Sequence, residues 1–112
     1  MELQETMIGD VATLQLKGKF LGGLECTAIY TKVKELVSQG VRKVVIDLDG
    51  VSLMNSSGLG ALVGASISLR NAGGDVKLSR LKGRMKGLLM ASSIISIFES
   101  FDSIEAAVAS FK

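Results

Sequence analysis

Two short runs of strand-like sequence open the chain, residues 3–8 and 11–17, and in the second Ala12, Leu14 and Leu16 alternate with Thr13, Gln15 and Lys17. Gly9-Asp10 between them is a two-residue turn of hairpin type, so the spacing predicts an opening β-hairpin. A glycine-rich loop follows at 18–23. After it the period changes: Ile29, Val33, Leu36 and Val37 mark one face of a helix that Gly40 can end. Residues 42–48 then carry Val44-Val45-Ile46-Asp47-Leu48, an apolar, β-branched run typical of a strand covered on both faces, which Asp49-Gly50 is expected to break. Leu59, Leu62, Val63, Ser66 and Leu69 return to helical spacing and predict a helix over 56–72, stopped by Gly73-Gly74. Val76, Leu78 and Leu81 begin a further strand. A short helix is expected around 84–91 with Met85, Leu88 and Leu89 inward, then a short strand at 97–101. Asp102-Ser103-Ile104-Glu105 resembles a capping box, with Asp102 as cap and Glu105 reaching back, at the head of a last helix over 103–111. The order ββαβαβαβα predicts an α/β fold: one domain over 1–112, a mixed sheet with an N-terminal hairpin and about four flanking helices.

The stretch Met54-Asn55-Ser56-Ser57-Gly58-Leu59-Gly60 stands where the buried strand turns into the second long helix. Asn55 or Ser56 is the expected N-cap, because a short side-chain oxygen there accepts from N–H groups that a first helical turn leaves without partners. A serine at such a turn is exposed, and the positive end of the helix dipole favours a phosphate on it by roughly 0.3–1 kcal/mol. Gly60, Ala61, Gly64 and Ser68 extend a strip of small residues along the same helix.

Composition narrows the chemistry. The chain has 112 residues, 47% hydrophobic and 21% charged, which suits one globular domain with a real core. It has no histidine and one cysteine, so histidine-based triads, histidine-ligated metals, internal disulfides and Cys-rich zinc sites are excluded. Cys26 falls on the face of Ile29, Val33 and Val37, as a structural thiol does. Ser56 has no base beside it in sequence to make it a nucleophile; Lys82, Arg84 and Lys86 could approach it in space, but read first as a solvated basic patch and second as a partner-docking surface. Neither Gly58-Leu59-Gly60 nor Gly22-Gly23 is followed by a nucleotide-binding fingerprint, and no cofactor is expected. A net charge of +2 and only four Phe and one Tyr argue against nucleic acid. Residues 50–69 carry no charge and are long enough to cross a bilayer, but Asn55, the serines and the glycines interrupt them, so no membrane insertion is expected. The first five residues lack a signal-peptide pattern, which points to the cytoplasm.

Taken together, Gly18-Lys19-Phe20, Val44 to Leu48, Asn55-Ser56-Ser57-Gly58-Leu59-Gly60-Ala61-Leu62, Asn71-Ala72-Gly73-Gly74 and Glu105-Ala106-Ala107 resemble the STAS domain, especially its stand-alone bacterial anti-sigma-factor antagonists. The resemblance covers nearly the whole chain. It implies an unphosphorylated protein that binds an anti-sigma factor, itself a serine kinase, and so frees a sigma factor; serine phosphorylation resets the switch. By position the acceptor is Ser56, with Ser57 second. Asn55, Ser57, Gly58, Leu59, Gly60, Phe20 and Leu21 become the partner-binding residues. The resemblance also admits a serine phosphatase as partner, and a monomer or weak dimer. Two positions depart from the family: Asn55 stands where it usually has Asp, and Leu21 where an acidic residue is common. A non-switching STAS adaptor, in a signalling scaffold or a lipid or anion transporter complex, is the alternative.

Overall fold

In a computed structural model, which describes residues 2–81, 86–87 and 97–111, the opening runs form strands β1 (Glu2–Ile8) and β2 (Val11–Phe20). They pair antiparallel through the turn at Gly9-Asp10, with Ile8 opposite Val11. Gly9 has φ +63°, the left-handed conformation such a turn requires. Then follow α1 (Leu24–Ser38), β3 (Lys43–Met54), α2 (Ser56–Asn71), β4 (Asp75–Ser79), β5 (Ser100–Phe101) and α3 (Ile104–Ala109). The five strands lie side by side in sequence order, and every pairing after β1·β2 is parallel.

Strand periodicity divides the core in two. Ala12, Leu14 and Leu16 of β2, Val44, Ile46 and Leu48 of β3, and Val76 and Leu78 of β4 share one cluster with Ile29, Val33 and Leu36 of α1 and Leu59, Leu62, Ala65 and Leu69 of α2. Val11 and Val45, one residue out of phase, pack instead with Ala107 and Val108 of α3. The run 44–48 is therefore covered on both faces, as its continuous apolar character predicts.

Four boundaries differ from the expectation. Asp49-Gly50 does not end β3, which continues to Met54. Against β2 it takes up an extra residue between the pairs Gln15↔Asp47 and Lys17↔Gly50, and another between Gly18↔Val51 and Lys19↔Leu53. These irregularities bend the strand without ending its pairing. A Cβ at Gly50 would stand 2.9 Å from the Leu16 carbonyl oxygen, so the glycine serves a close backbone approach. Gly18, Lys19 and Phe20 belong to β2, which leaves residues 21–23 as the loop.

At the chain's end, α3 is capped by Ser103, whose Oγ accepts the Ala106 N–H at 3.0 Å; Asp102 is not the cap. With Ser103 as cap, Glu105 is the second helical residue, one short of the position from which a capping box reaches back. The strand expected at 97–101 contracts to Ser100–Phe101. Three helices are present among the described residues. The helix expected around 84–91, with Met85, Leu88 and Leu89, lies outside them apart from 86–87, which are helical. No helix among the described residues is long and apolar enough to cross a membrane; the uncharged stretch 50–69 is shared between β3 and α2.

Candidate functional site

The turn from β3 into α2 is built on Asn55. Its backbone is extended (φ −108°, ψ −170°) and its Oδ1 accepts from the N–H groups of Ser57 at 3.1 Å and Gly58 at 3.2 Å. Asn55 is thus the N-cap and Ser56 the first helical residue. The other end of the carboxamide points away from the helix: Nδ2 donates to the Leu21 carbonyl at 2.9 Å. The Asn55 backbone N–H donates to the Phe20 carbonyl at 3.4 Å.

Gly58 allows the helix to begin this close to β2. A Cβ there would stand 2.6 Å from the Phe20 carbonyl oxygen and collide with the Met54 side chain. Ser57 stands beside the loop, its Cβ 3.6 Å from where a side chain on Gly22 would start. Gly60 opens to solvent with no atom within 4 Å of a Cβ, whereas a Cβ on Gly64 would strike the Tyr30 ring of α1. The strip of small residues therefore divides: Gly64 and buried Ala61 serve packing, and Gly60 is open.

The residues singled out from the sequence fall into two groups. Ser56, Ser57, Asn55, Gly60 and Leu21 are exposed. Phe20, Gly58 and Leu59 are buried and support that surface from beneath. Leu24, at the head of α1, is 85% exposed and was not among the expected site residues. Its signal in the sequence is that it lies off the apolar stripe of Ile29 and Val33.

The sequence reading also missed a buried carboxylate, paired with a half-buried arginine, on the other face of the sheet. The Asp47 carboxylate accepts from Ser79 Oγ at 2.8 Å and from Arg80 Nε and Nη2 at 2.8 and 2.7 Å. The hydrogen bond to Asp47 raises the guanidinium pKa of Arg80 above its ordinary value. Arg80 has φ +52°, and its N–H donates to the Phe101 carbonyl at 2.8 Å, tying the exit of β4 to β5. An acidic residue inside Val44 to Leu48 was the available signal, since a buried carboxylate needs partners. Lys82 and Arg84 lie outside the described residues, and Lys86 is exposed. Cys26 is half-buried against the α1/α2 core. Among the described residues no group of three or more Cys, Asp or Glu is placed to hold a metal ion.

Known proteins share this architecture. The family model for the STAS domain matches residues 6–107. BtrV of Bordetella bronchiseptica, assigned by name as an anti-sigma factor antagonist, is 36% identical over 76 residues, which are 68% of this chain and 66% of that protein. The chain thus spans just under two thirds of the relative's length. Among solved structures, TM1081 of Thermotoga maritima superposes with a TM-score of 0.84 at 21% identity, over 96% of this chain and 92% of that one. The Bacillus cell fate determinant SpoIIAA in its phosphorylated form gives 0.77 at 19% identity, over 99% of this chain and 100% of that one. At these identities the solved structures establish the fold, and with the family model matching all but the ends, the chain belongs to the STAS domain family.

Proposed function

We propose that this protein is an anti-sigma-factor antagonist whose exposed Ser56 is the phosphorylation site of a partner switch. The observation that carries the reading is the turn itself: Ser56 is solvent-exposed at the first position of α2, in a stretch with no ionisable side chain, beside the Asn55 cap that ties the turn to Leu21. Unphosphorylated, this surface seats an anti-sigma factor that is also a serine kinase, and a sigma factor is released. A phosphate adds about −1.5 to −2 charges, which must be desolvated when an apolar surface docks, so the complex is opposed. The helix N-terminus stabilises the same phosphate in the free protein. Ser57 is the lesser acceptor, because its side chain stands against the loop at Gly22. The BtrV relative supports the antagonist assignment. The protein works as a binding module in the cytoplasm and not as an enzyme; with no histidine in the chain, Ser56 has no imidazole to take its proton.

The test uses each histidine-kinase-like anti-sigma factor of the source genome, expressed singly. Incubation with the cognate kinase and ATP is expected to add one phosphate, mapped by mass spectrometry to Ser56. Ser56→Ala is expected to bind constitutively with little loss of stability, since Asn55 and not Ser56 caps α2, and Ser56→Asp to bind more weakly. A partner that stays bound whatever the state of Ser56 would instead establish the non-switching adaptor.

A further inference from the structure

Three successive residues, the last of β2 and the first two of the loop after it, touch the start of α2. The Phe20 carbonyl accepts from the Asn55 N–H, the Leu21 carbonyl accepts from Asn55 Nδ2, and Gly22 faces Ser57. The middle contact is the only one of the three made by a side-chain donor, and it depends on an amide. A carboxylate at position 55 would still cap α2 but would set an acceptor against the Leu21 carbonyl, where the carboxamide now donates. Gly22 and Gly23, at φ +124° and +62°, give the loop wide backbone freedom once that tie is gone. The loop carries exposed apolar side chains at its two ends, Leu21 at 44% and Leu24 at 85%. Between Lys19 and Glu25 the only positions are Phe20, Leu21, Gly22, Gly23 and Leu24, and from Leu53 to Leu69 the chain has no ionisable residue. In a protein with 13 basic and 11 acidic residues, these two stretches are set apart by carrying no ionisable side chain.

We propose that Asn55 is the positioning residue of the docking face, holding the loop that begins at Leu21 against the start of α2, and that the partner surface seated there is itself uncharged and apolar. The inference rests on the Ser56 turn being the docking site and specifies what that site accepts. Leu21 and Asn55 together make the face neutral where the family resemblance implies carboxylates. An Asp at position 55 therefore works against this protein's own partner, by loosening the loop and by adding a charge that docking must desolvate.

Two substitutions separate these effects. Asn55→Asp and Asn55→Ser both keep an N-cap, but the carboxylate has no donor and the serine hydroxyl, one bond nearer Cβ, falls short of the reach of Nδ2 to the Leu21 carbonyl, and only the first adds charge. Nitrogen-15 relaxation is expected to show backbone order parameters of residues 21–23 falling from about 0.85 to below about 0.6 in both variants, with residues 62–69 of α2 unchanged. The dissociation constant for the anti-sigma kinase that phosphorylates Ser56 is expected to rise tenfold or more in both. The proposal is overturned if the loop stays rigid in both variants, if Asn55→Asp binds as tightly as the wild type, or if Asn55→Ser binds normally while Asn55→Asp does not, which would trace the effect to charge alone. Should Ser56→Asp leave binding intact, the docking reading fails on its own, and the relaxation data still decide whether Asn55 holds the loop.

Discussion

At the scale of single residues, adjacent candidates for one role are separated by what each backbone position can reach. Asp102 and Ser103 are both good cap residues, and the sequence alone favours Asp102 because Glu105 follows at the capping-box distance. The structure selects Ser103, whose backbone is extended (φ −144°, ψ 158°) and whose Oγ reaches the Ala106 N–H, so the helix starts at Ile104. Ser103→Ala is expected to cost about 1 kcal/mol, read as a lower thermal midpoint, and Asp102→Ala to leave the midpoint within error. Equal losses for the two would mean that the cap is shared. Asn55 shows the same limit of sequence reading. Its capping role is legible from the change of period at Met54, but its tie to Leu21 links residues 34 positions apart, and no local pattern announces it.

Elements are legible where the chain repeats and illegible where tertiary approach decides. The faces of α1 and α2 appear in the spacing of Ile29, Val33, Leu62 and Leu69, and the hairpin in its turn. β3 reads as ending at Asp49-Gly50 because glycine usually interrupts strands; here it admits the Leu16 carbonyl and the strand runs on. Pairing of β1 to the rest of the molecule has an electrostatic part that spacing does not show. Lys32 of α1 contacts Glu5 of β1 and Glu35 of its own helix, each at 3.0 Å. Those two hydrogen bonds, Glu5 first, raise the ammonium pKa above 10.5. A folded-state pKa above the unfolded one contributes stability that is complete well below 10.5 and is lost as pH rises through the raised value. Being partly solvent-screened, the contribution is at most about 1 kcal/mol. Urea unfolding of wild type and Lys32→Met should therefore differ near neutral pH and converge as the pH rises through the raised lysine value. A gap that persists at the higher pH would assign the effect to packing of the lysine stem.

For the whole molecule, the sheet is a partition with a different task on each side. The face toward α1 and α2 holds the larger core and supports the Ser56 turn from below through Phe20 and Leu59. The opposite face is closed by six-residue α3, and polar groups share the load: Asp47 with Ser79 and Arg80, and Lys77, whose Nζ donates to Ser110 Oγ at 2.9 Å and lies 4.4 Å from the centre of the Phe111 ring. Neighbours in β3 sample the two sides, since Val45 and Ile46 are both fully buried but point opposite ways. Ile46→Ala should destabilise by about 2–5 kcal/mol, and Val45→Ala by less, about 1–3 kcal/mol, because it removes a smaller side chain. The two should also fail differently. A cavity at Ile46 lies in the cluster that carries α2, so it should weaken partner binding along with stability. A cavity at Val45 lies under α3 and should lower the unfolding midpoint in urea while the folded fraction binds the proposed partner with unchanged affinity. If Val45→Ala weakens binding as much as Ile46→Ala at matched folded concentration, the two faces are mechanically coupled and the sheet does not insulate the Ser56 turn from the α3 side.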